Sequence, residues 1–341
     1  DLIYRKHTKI TIQTKNMNEN KICLIGGAGR SGTTILSRIF AKHPLISDVP
    51  ELRFLIDPDG IIDFYTSFQI WSPYHFDLKI KRLKSVLQSV TYSHPLNKAF
   101  FLLQKTGILQ MLPWNVRPRY ANICATDFCP KFPKLVNELI ERLTIFRYSG
   151  YWEGMITMQQ KEIFYSSFHE KSKLTKIFRD FLRQVILSIL EYQRVSYYLE
   201  KNTWDILWFD KILDLIPDSR MVHIYRDPRD VVTSFTRQTW MPSDPLKSAL
   251  IYRDIIQHWW DIKVKIPNHT YIEISLESLV NDTESILRKI CTFWGLPWHE
   301  SLLSIDLSKS HSGRWKKDLD IQEQNEVQNL LGRQIETLGY E

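Results

Sequence analysis

The segment Gly26 to Thr34, Gly-Gly-Ala-Gly-Arg-Ser-Gly-Thr-Thr, follows the apolar run Ile22 to Ile25 and leads directly into the amphipathic stretch Ile35-Leu36-Ser37-Arg38-Ile39-Phe40. That order reads as strand, glycine-rich loop and helix. Such a loop lines up backbone N–H groups at a helix N-terminus, where unsatisfied donors and the helix dipole together attract an anion. It predicts a bound phosphate or sulfate.

The spacing is that of the P-loop pattern G-x-x-x-x-G-K-[ST], with Gly27 and Gly32 five apart and Thr34 at the position of the magnesium-binding hydroxyl. The lysine is missing: Thr33 stands in its place, and Arg30 supplies a cation inside the loop instead. A kinase or NTPase would need that lysine to span the β- and γ-phosphates, so an ATP-dependent reaction is disfavoured.

Further strand signals are short and far apart: Ile206 to Phe209, Met221 to Tyr225 and Thr270 to Ile274. Each is apolar on nearly both faces and precedes a helical pattern, as expected where helices cover a parallel sheet, and the class is α/β. Between about residues 61 and 200 helical stretches dominate, over Leu78 to Val90, Leu96 to Leu109, Lys134 to Leu143 and Lys176 to Leu199. This reads as a helical insertion that shapes an acceptor site, within a single domain spanning 21–341 behind an N-terminal extension, 1–20. Met17, just before the first strand, is expected to be the natural start, which makes residues 1–16 dispensable.

A formal charge of +7 suits an anionic nucleotide, a nucleic acid or an anionic membrane surface, and discriminates among them only weakly. Cys23, Cys124, Cys129 and Cys291 lack metal-ligand spacing, so reduced thiols are expected and no metal is implied. No run of about 18 apolar residues marks a membrane span. The polar, basic start has no apolar signal core, which points to the cytoplasm.

A second anion site is legible at Met221-Val222-His223-Ile224-Tyr225-Arg226-Asp227-Pro228-Arg229-Asp230. Asp227 suits an N-cap, Pro228 the first helical position and Asp230 the third residue of a capping box. Arg226 therefore leaves a strand end beside a helix N-terminus, and Ser234, seven residues beyond Asp227, falls on the same helix face as the cap. Arg226 could equally pair with Asp227 or Asp230.

Together these motifs resemble the sulfotransferase family, which uses 3′-phosphoadenosine 5′-phosphosulfate (PAPS). The resemblance implies that Gly29, Arg30, Ser31, Gly32, Thr33 and Thr34 hold the 5′-phosphosulfate, and that Arg226 and Ser234 hold the 3′-phosphate. Ser308-Lys309-Ser310-His311-Ser312-Gly313-Arg314-Trp315-Lys316 is similar to the family's Arg-Lys-Gly-x-x-Gly-x-Trp-Lys segment over the nucleotide, which brings in Lys309, Ser310 and Arg314. Arg-Ser-Gly-Thr-Thr is closer to the bacterial and protein-tyrosine branches than to the cytosolic drug-metabolising branch, which has Lys-Ser-Gly-Thr-Thr.

The same resemblance implies catalytic roles. Arg30 and Ser234 match positions beside the leaving group, and Lys201 matches a lysine that contacts the transferred group. Glu51, in Asp48-Val49-Pro50-Glu51-Leu52-Arg53, matches a catalytic glutamate with a nearby arginine and is the expected base. His75, His94 and His169 are the reserve, because the cytosolic branch uses a histidine.

Asp48, Glu51, Asp57, Asp59 and Asp63, interleaved with Phe54, Phe64, Tyr65, Trp71 and Tyr74, would favour a cationic small-molecule acceptor through Coulomb and cation–π attraction. The expected activity is sulfonate transfer from PAPS to a hydroxyl or amine of such a natural product, releasing the bisphosphate PAP, with no nucleic acid or membrane partner. A peptide-tyrosine sulfotransferase is the alternative, and a non-catalytic nucleotide or nucleic-acid binder the reading from a different class.

Overall fold

A computed structural model of the chain describes residues 21–67, 70–92, 123–154, 161–167, 170–307 and 312–340. The expected extension with Met17, the helix over Leu96 to Leu109, His94, His169 and the loop residues Ser308, Lys309, Ser310 and His311 lie outside these residues.

The chain enters through strand β1 (Lys21–Gly26) and helix α1 (Thr33–Phe40). It continues through α2 (Ile61–Ser67), α3 (Pro73–Thr91), α4 (Phe132–Leu143), a hairpin of β2 (Phe146–Ser149) and β3 (Glu162–Tyr165), and the long α5 (Lys171–Gln193). It then returns through β4 (Tyr197–Lys201), α6 (Phe209–Leu215), β5 (Ser219–Tyr225), α7 (Pro228–Phe235), α8 (Pro245–Lys263) and β6 (Tyr271–Ser275). Two helices follow, α9 (Leu276–Asn281) and α10 (Thr283–Trp294), with further helices beyond.

Four strands form a parallel sheet in the order β4-β1-β5-β6, with Ile25 paired to Lys201 on one side and to Val222 on the other. Side chains alternate across it as strand geometry requires. Leu24, Tyr198 and Met221 face a core shared with α2 to α5 and α8, whereas Cys23, Ile25, Leu199, Val222 and Ile224 face one shared with α1 and α10. Helices thus cover both faces, and the fold is α/β. Among the described residues no helix is long and apolar enough to cross a membrane.

Two expectations are corrected. Ile206 to Phe209 is no strand: Asp205–Leu207 is a 3₁₀ turn and α6 starts at Phe209. The strand beside β1 is instead Tyr197–Lys201, inside the stretch expected to be helical up to Leu199. The helix stops at Gln193 because Arg194 takes the left-handed conformation (φ 58°, ψ 45°) that glycine usually supplies, so the sequence carries no stop signal there. The insertion is also less purely helical than expected, since β2 and β3 pair antiparallel within it.

Candidate functional site

β1 lies between β4 and β5, and the chain leaves it first for β4 and then crosses to β5 on the other side. In an open parallel sheet such a switch point opens a crevice beyond the strands' carboxyl ends, where ligands bind. The three loops leaving these ends carry Gly27 to Gly32, Asn202 to Trp204, and Arg226 with Asp227.

The glycine-rich loop is packed tightly. The Gly27 N–H donates to the carbonyl of Thr203 at 3.4 Å, and a Cβ on Gly27 would sit 2.3 Å from the carbonyl oxygen of Ile224, so only glycine lets the loop cross between β4 and β5. Arg30 has φ 70° and Gly32 φ 103°. For Arg30 this is a sparsely populated conformation of the kind that clusters at binding sites. No side chain caps α1, which leaves the N–H groups of its first turn directed out of the helix end. The buried Ser31 hydroxyl has no hydrogen-bond partner among the described residues. Thr33 is buried and Thr34 exposed in the first turn. These are features of a seat for an anion.

Arg30 Nε donates to Ser234 Oγ at 3.0 Å, which brings the first loop against α7. At the start of α7, Asp227 caps the helix by accepting from the Arg229 N–H at 2.9 Å, with Pro228 at the first position. The capping box does not form. The Asp230 carboxylate instead pairs with Arg226 at 3.1 Å and accepts from the N–H groups of Gly313, at 2.7 Å, and Trp315, at 3.1 Å. Asp230 thereby fastens the C-terminal segment over the second strand end, and Trp315 lies against the Arg229 guanidinium, 4.2 Å from the ring centroid. Arg314 pairs with Asp318 at 3.3 Å, and Asp318 also holds Arg237. The sequence missed this anchoring role of Asp230, because its partners are 83 and 85 residues away.

On the other side of the loop, Lys201 at the end of β4 forms an ion pair with Glu51, joining two expected catalytic residues. Next to them Glu200 is buried in β4, accepting from the Leu52 N–H at 3.2 Å and the Tyr198 hydroxyl at 2.8 Å. Burial pushes the Glu200 carboxyl up to about 7, against the hydrogen bonds of Tyr198 and Leu52 and with the charge of Glu51. Burial also raises Asp205, reinforced by the charges of Glu200 and Glu51.

The segments that leave Glu51 and Lys201 diverge around a cavity of about 420 Å³, lined by Arg53, Asp57, Asp63, Trp204, Leu207 and Trp208 among others. Trp204 meets Trp240 edge to face at 6.1 Å, and Trp240 packs on Gly29, so an aromatic wall runs from the cavity to the loop. The acidic run is already neutralised from within: Arg53 pairs with Asp57 at 3.2 Å, Lys79 with Asp63 at 2.9 Å and Arg82 with Asp59 at 3.5 Å. Asp48 lies apart, its backbone bonded to Gln193.

The aromatic residues expected to line an acceptor site are placed otherwise. Phe54, Phe64 and Tyr65 are in the core, Trp71 donates to the carbonyl of Ser166, and Tyr74 packs on Trp152. His75 sits in the first turn of α3, beside a separate cleft with Ile70 and Trp71. Trp204 and Trp208 line the cavity instead, which strand-like patterning over residues 206 to 209 had concealed.

A model of the sulfotransferase family matches residues 23–300. No curated protein sequence matches the chain. Among solved structures, the sulfotransferase domain of the olefin synthase from Synechococcus PCC 7002 is similar at 19% identity, over 96% of this chain and 99% of that one, with a TM-score of 0.47. Sulfotransferase STF9 from Mycobacterium avium is similar at 12% identity, over 95% and 78%, with a TM-score of 0.46. Retinol dehydratase, in a complex with androsterone and the inactive cofactor PAP, is similar at 10% identity, over 92% and 80%, with a TM-score of 0.36. With a family match running from within β1 to beyond the last strand of the sheet, the chain belongs to the sulfotransferase family.

Proposed function

We propose that this sulfotransferase moves the sulfonate of PAPS to a hydroxyl or amine of a small-molecule acceptor and releases PAP. The observation that carries the donor assignment is the Arg30–Ser234 hydrogen bond at 3.0 Å, which links two anion-binding features on neighbouring strand ends where a lysine for a triphosphate is missing. In this reading the backbone of Gly29 to Thr34 and the Ser31 hydroxyl surround the 5′-phosphosulfate. Arg226, fixed in direction by Asp230, and Ser234 hold the 3′-phosphate, and Lys309, Ser310 and Arg314 belong to the segment over the nucleotide.

In the transfer, an acceptor oxygen or nitrogen attacks sulfur in line with the bridging oxygen. The bond from sulfur to that oxygen breaks, its electron pair stays on the 5′-phosphate of PAP, and the acceptor's proton passes to Glu51. Arg30 and Lys201 offset the charge that develops on the departing oxygen. Lys201 exchanges Glu51 for the sulfonate when the donor binds, which releases the carboxylate for the proton.

The acceptor enters the cavity between the Arg53 and Trp204 segments, to which the 61–200 insertion contributes Asp63 and Thr66. Its acidic residues, Asp57 and Asp63, are paired to Arg53 and Lys79, so the indole faces of Trp204 and Trp208, rather than a cluster of bare carboxylates, support recognition of a planar apolar group. A cationic acceptor is correspondingly less favoured than the acidic run alone implied.

The test is a thermal-shift comparison of PAP with ATP, AMP and GTP, followed by labelled-PAPS transfer to phenols, amines and tyrosine peptides. PAP is expected to raise the melting temperature and the other nucleotides to leave it nearly unchanged. Stabilisation by ATP without stabilisation by PAP would sink the donor assignment, and transfer to tyrosine peptides alone would sink the small-molecule acceptor.

A further inference from the structure

A carboxylate buried in a strand is an expensive occupant, because a leucine would fill the same space without losing water. Glu200 is such a residue, with 4% of its surface exposed and with Leu24 of β1 as its register partner. Both of its oxygens are engaged: Oε2 accepts from Tyr198 at 2.8 Å, and Oε1 accepts from the backbone N–H of Leu52 at 3.2 Å. Leu52 directly follows Glu51, and Lys201 directly follows Glu200. Two successive residues of the loop are thus bound to two successive residues of β4, Glu51 to Lys201 by side chains and Leu52 to Glu200 through the backbone.

We infer that Glu200 is a positioning residue that holds Glu51 in place while Lys201 turns to the donor. This rests on the reading of Glu51 as the base. If Lys201 leaves Glu51 for the sulfonate, the ion pair no longer locates the carboxylate, and the Leu52–Glu200 hydrogen bond becomes the tether from that loop to the sheet. The tether is buried and therefore keeps its strength where a surface contact would be screened. Glutamine at position 200 can still accept from Leu52 with its amide oxygen while its nitrogen donates to the Tyr198 hydroxyl, but both contacts lose the charge of the carboxylate, which makes such hydrogen bonds roughly twice as strong. The substitution therefore weakens the tether with little change in volume.

The experiment combines Glu200→Gln, Glu51→Gln and the double variant, read by kcat, by KM for PAPS and by the PAP-induced thermal shift. Glu200→Gln is expected to lower kcat about tenfold or more through a misplaced base. The PAPS KM should stay within about twofold, because an interaction made only in the transition state has been lost. The thermal shift should match that of the unsubstituted protein. The double variant should turn over no more slowly than Glu51→Gln, since a residue that acts only through Glu51 has nothing left to position.

Losses that multiply in the double variant, or a raised PAPS KM with kcat intact, would overturn this role for Glu200 alone. Near-normal turnover by Glu51→Gln would overturn the base assignment and, with it, the inference. Should Glu200→Gln not fold, Tyr198→Phe removes the hydroxyl from the other Glu200 oxygen and is expected to show a smaller kcat loss with the same failure to multiply. Multiplied losses there would overturn the inference equally.

Discussion

Arg30 Nε and Ser234 Oγ meet at 3.0 Å although 204 residues separate them in sequence. The contact brings the phosphate loop and the first helix after β5 to one point, so a single ligand can touch both. Arg30→Ala removes a charge-assisted donor, worth about 2–3 kcal/mol, or roughly 30- to 150-fold in the Kd for PAP. Ser234→Ala removes one neutral hydrogen bond and should cost about 1 kcal/mol, roughly fivefold. Calorimetric titration with PAP checks both, and equal losses from the two would contradict the assignment of the charge to Arg30.

Asp230 has no exposed side-chain surface and holds Arg226 together with the N–H groups of Gly313 and Trp315. Asp230→Ala leaves a buried guanidinium and two backbone donors without this acceptor, so unfolding by urea should show a loss of about 3–5 kcal/mol. PAP binding should fall as well, because the C-terminal segment is no longer fastened over the second strand end. Asp230→Asn keeps an acceptor and should lose less. Wild-type stability in the alanine variant would show that the segment is anchored elsewhere.

Trp204 both lines the cavity and touches Trp240, which packs on Gly29. Trp204→Ala should raise the acceptor KM by roughly two- to tenfold, the equivalent of the 0.5–1.5 kcal/mol that a stacked or edge-on aromatic contact supplies. Steady-state kinetics with the best acceptor of the panel gives the answer, and an acceptor KM left as it was would place the acceptor outside this cavity.

Stability should fall as pH rises from the acid side towards neutrality. Burial raises Glu200 from 4.5 to about 7, opposed by the Tyr198 and Leu52 hydrogen bonds and aided by the charge of Glu51. The folded chain therefore keeps a proton that the unfolded chain releases in this window. Glu200's contribution is complete below about pH 4.5 and lost as pH passes 7, a change of roughly 3 kcal/mol. Asp205, also raised by burial, adds in the same direction. Glu273 runs the other way: burial pushes it up, but hydrogen bonds from His223, Lys263 and Trp259 and the His223 charge hold it at about 2. Its contribution is present above about pH 4.5 and lost towards pH 2. Urea midpoints should therefore be higher near pH 5 than near pH 7.5, and Glu200→Gln should flatten that slope. A slope unchanged by the substitution would assign it to other groups.

The residues that sequence patterning located are those whose conformation is decided by near neighbours. The loop from Gly26 to Thr34, the strands expected at 22–25, 221–225 and 270–274, the last found one residue later at each end, and the Asp227 cap with Pro228 all follow from glycine, proline and apolar spacing, which act over a few residues. β4 escaped because its two last residues are Glu200 and Lys201 and because an arginine ends the helix before it. Strand character there comes from pairing with β1 and Ile46, 150 residues or more away in sequence, and local propensity yields to that pairing.

Charge was the part that the sequence by itself left undecided. It determined that Arg30, Arg226, Glu51 and Lys201 exist beside strand and helix ends, and hence that an anion and a proton acceptor were both on offer. Only the tertiary structure decided which charges are already matched: Arg226 by Asp230, Asp63 by Lys79, Asp59 by Arg82 and Glu51 by Lys201. The reason is physical. Loops, turns and caps such as Gly26 to Thr34 and Asp227 are set within a turn or two of chain, whereas electrostatic pairing falls off over a few ångströms of space and is indifferent to distance along the sequence.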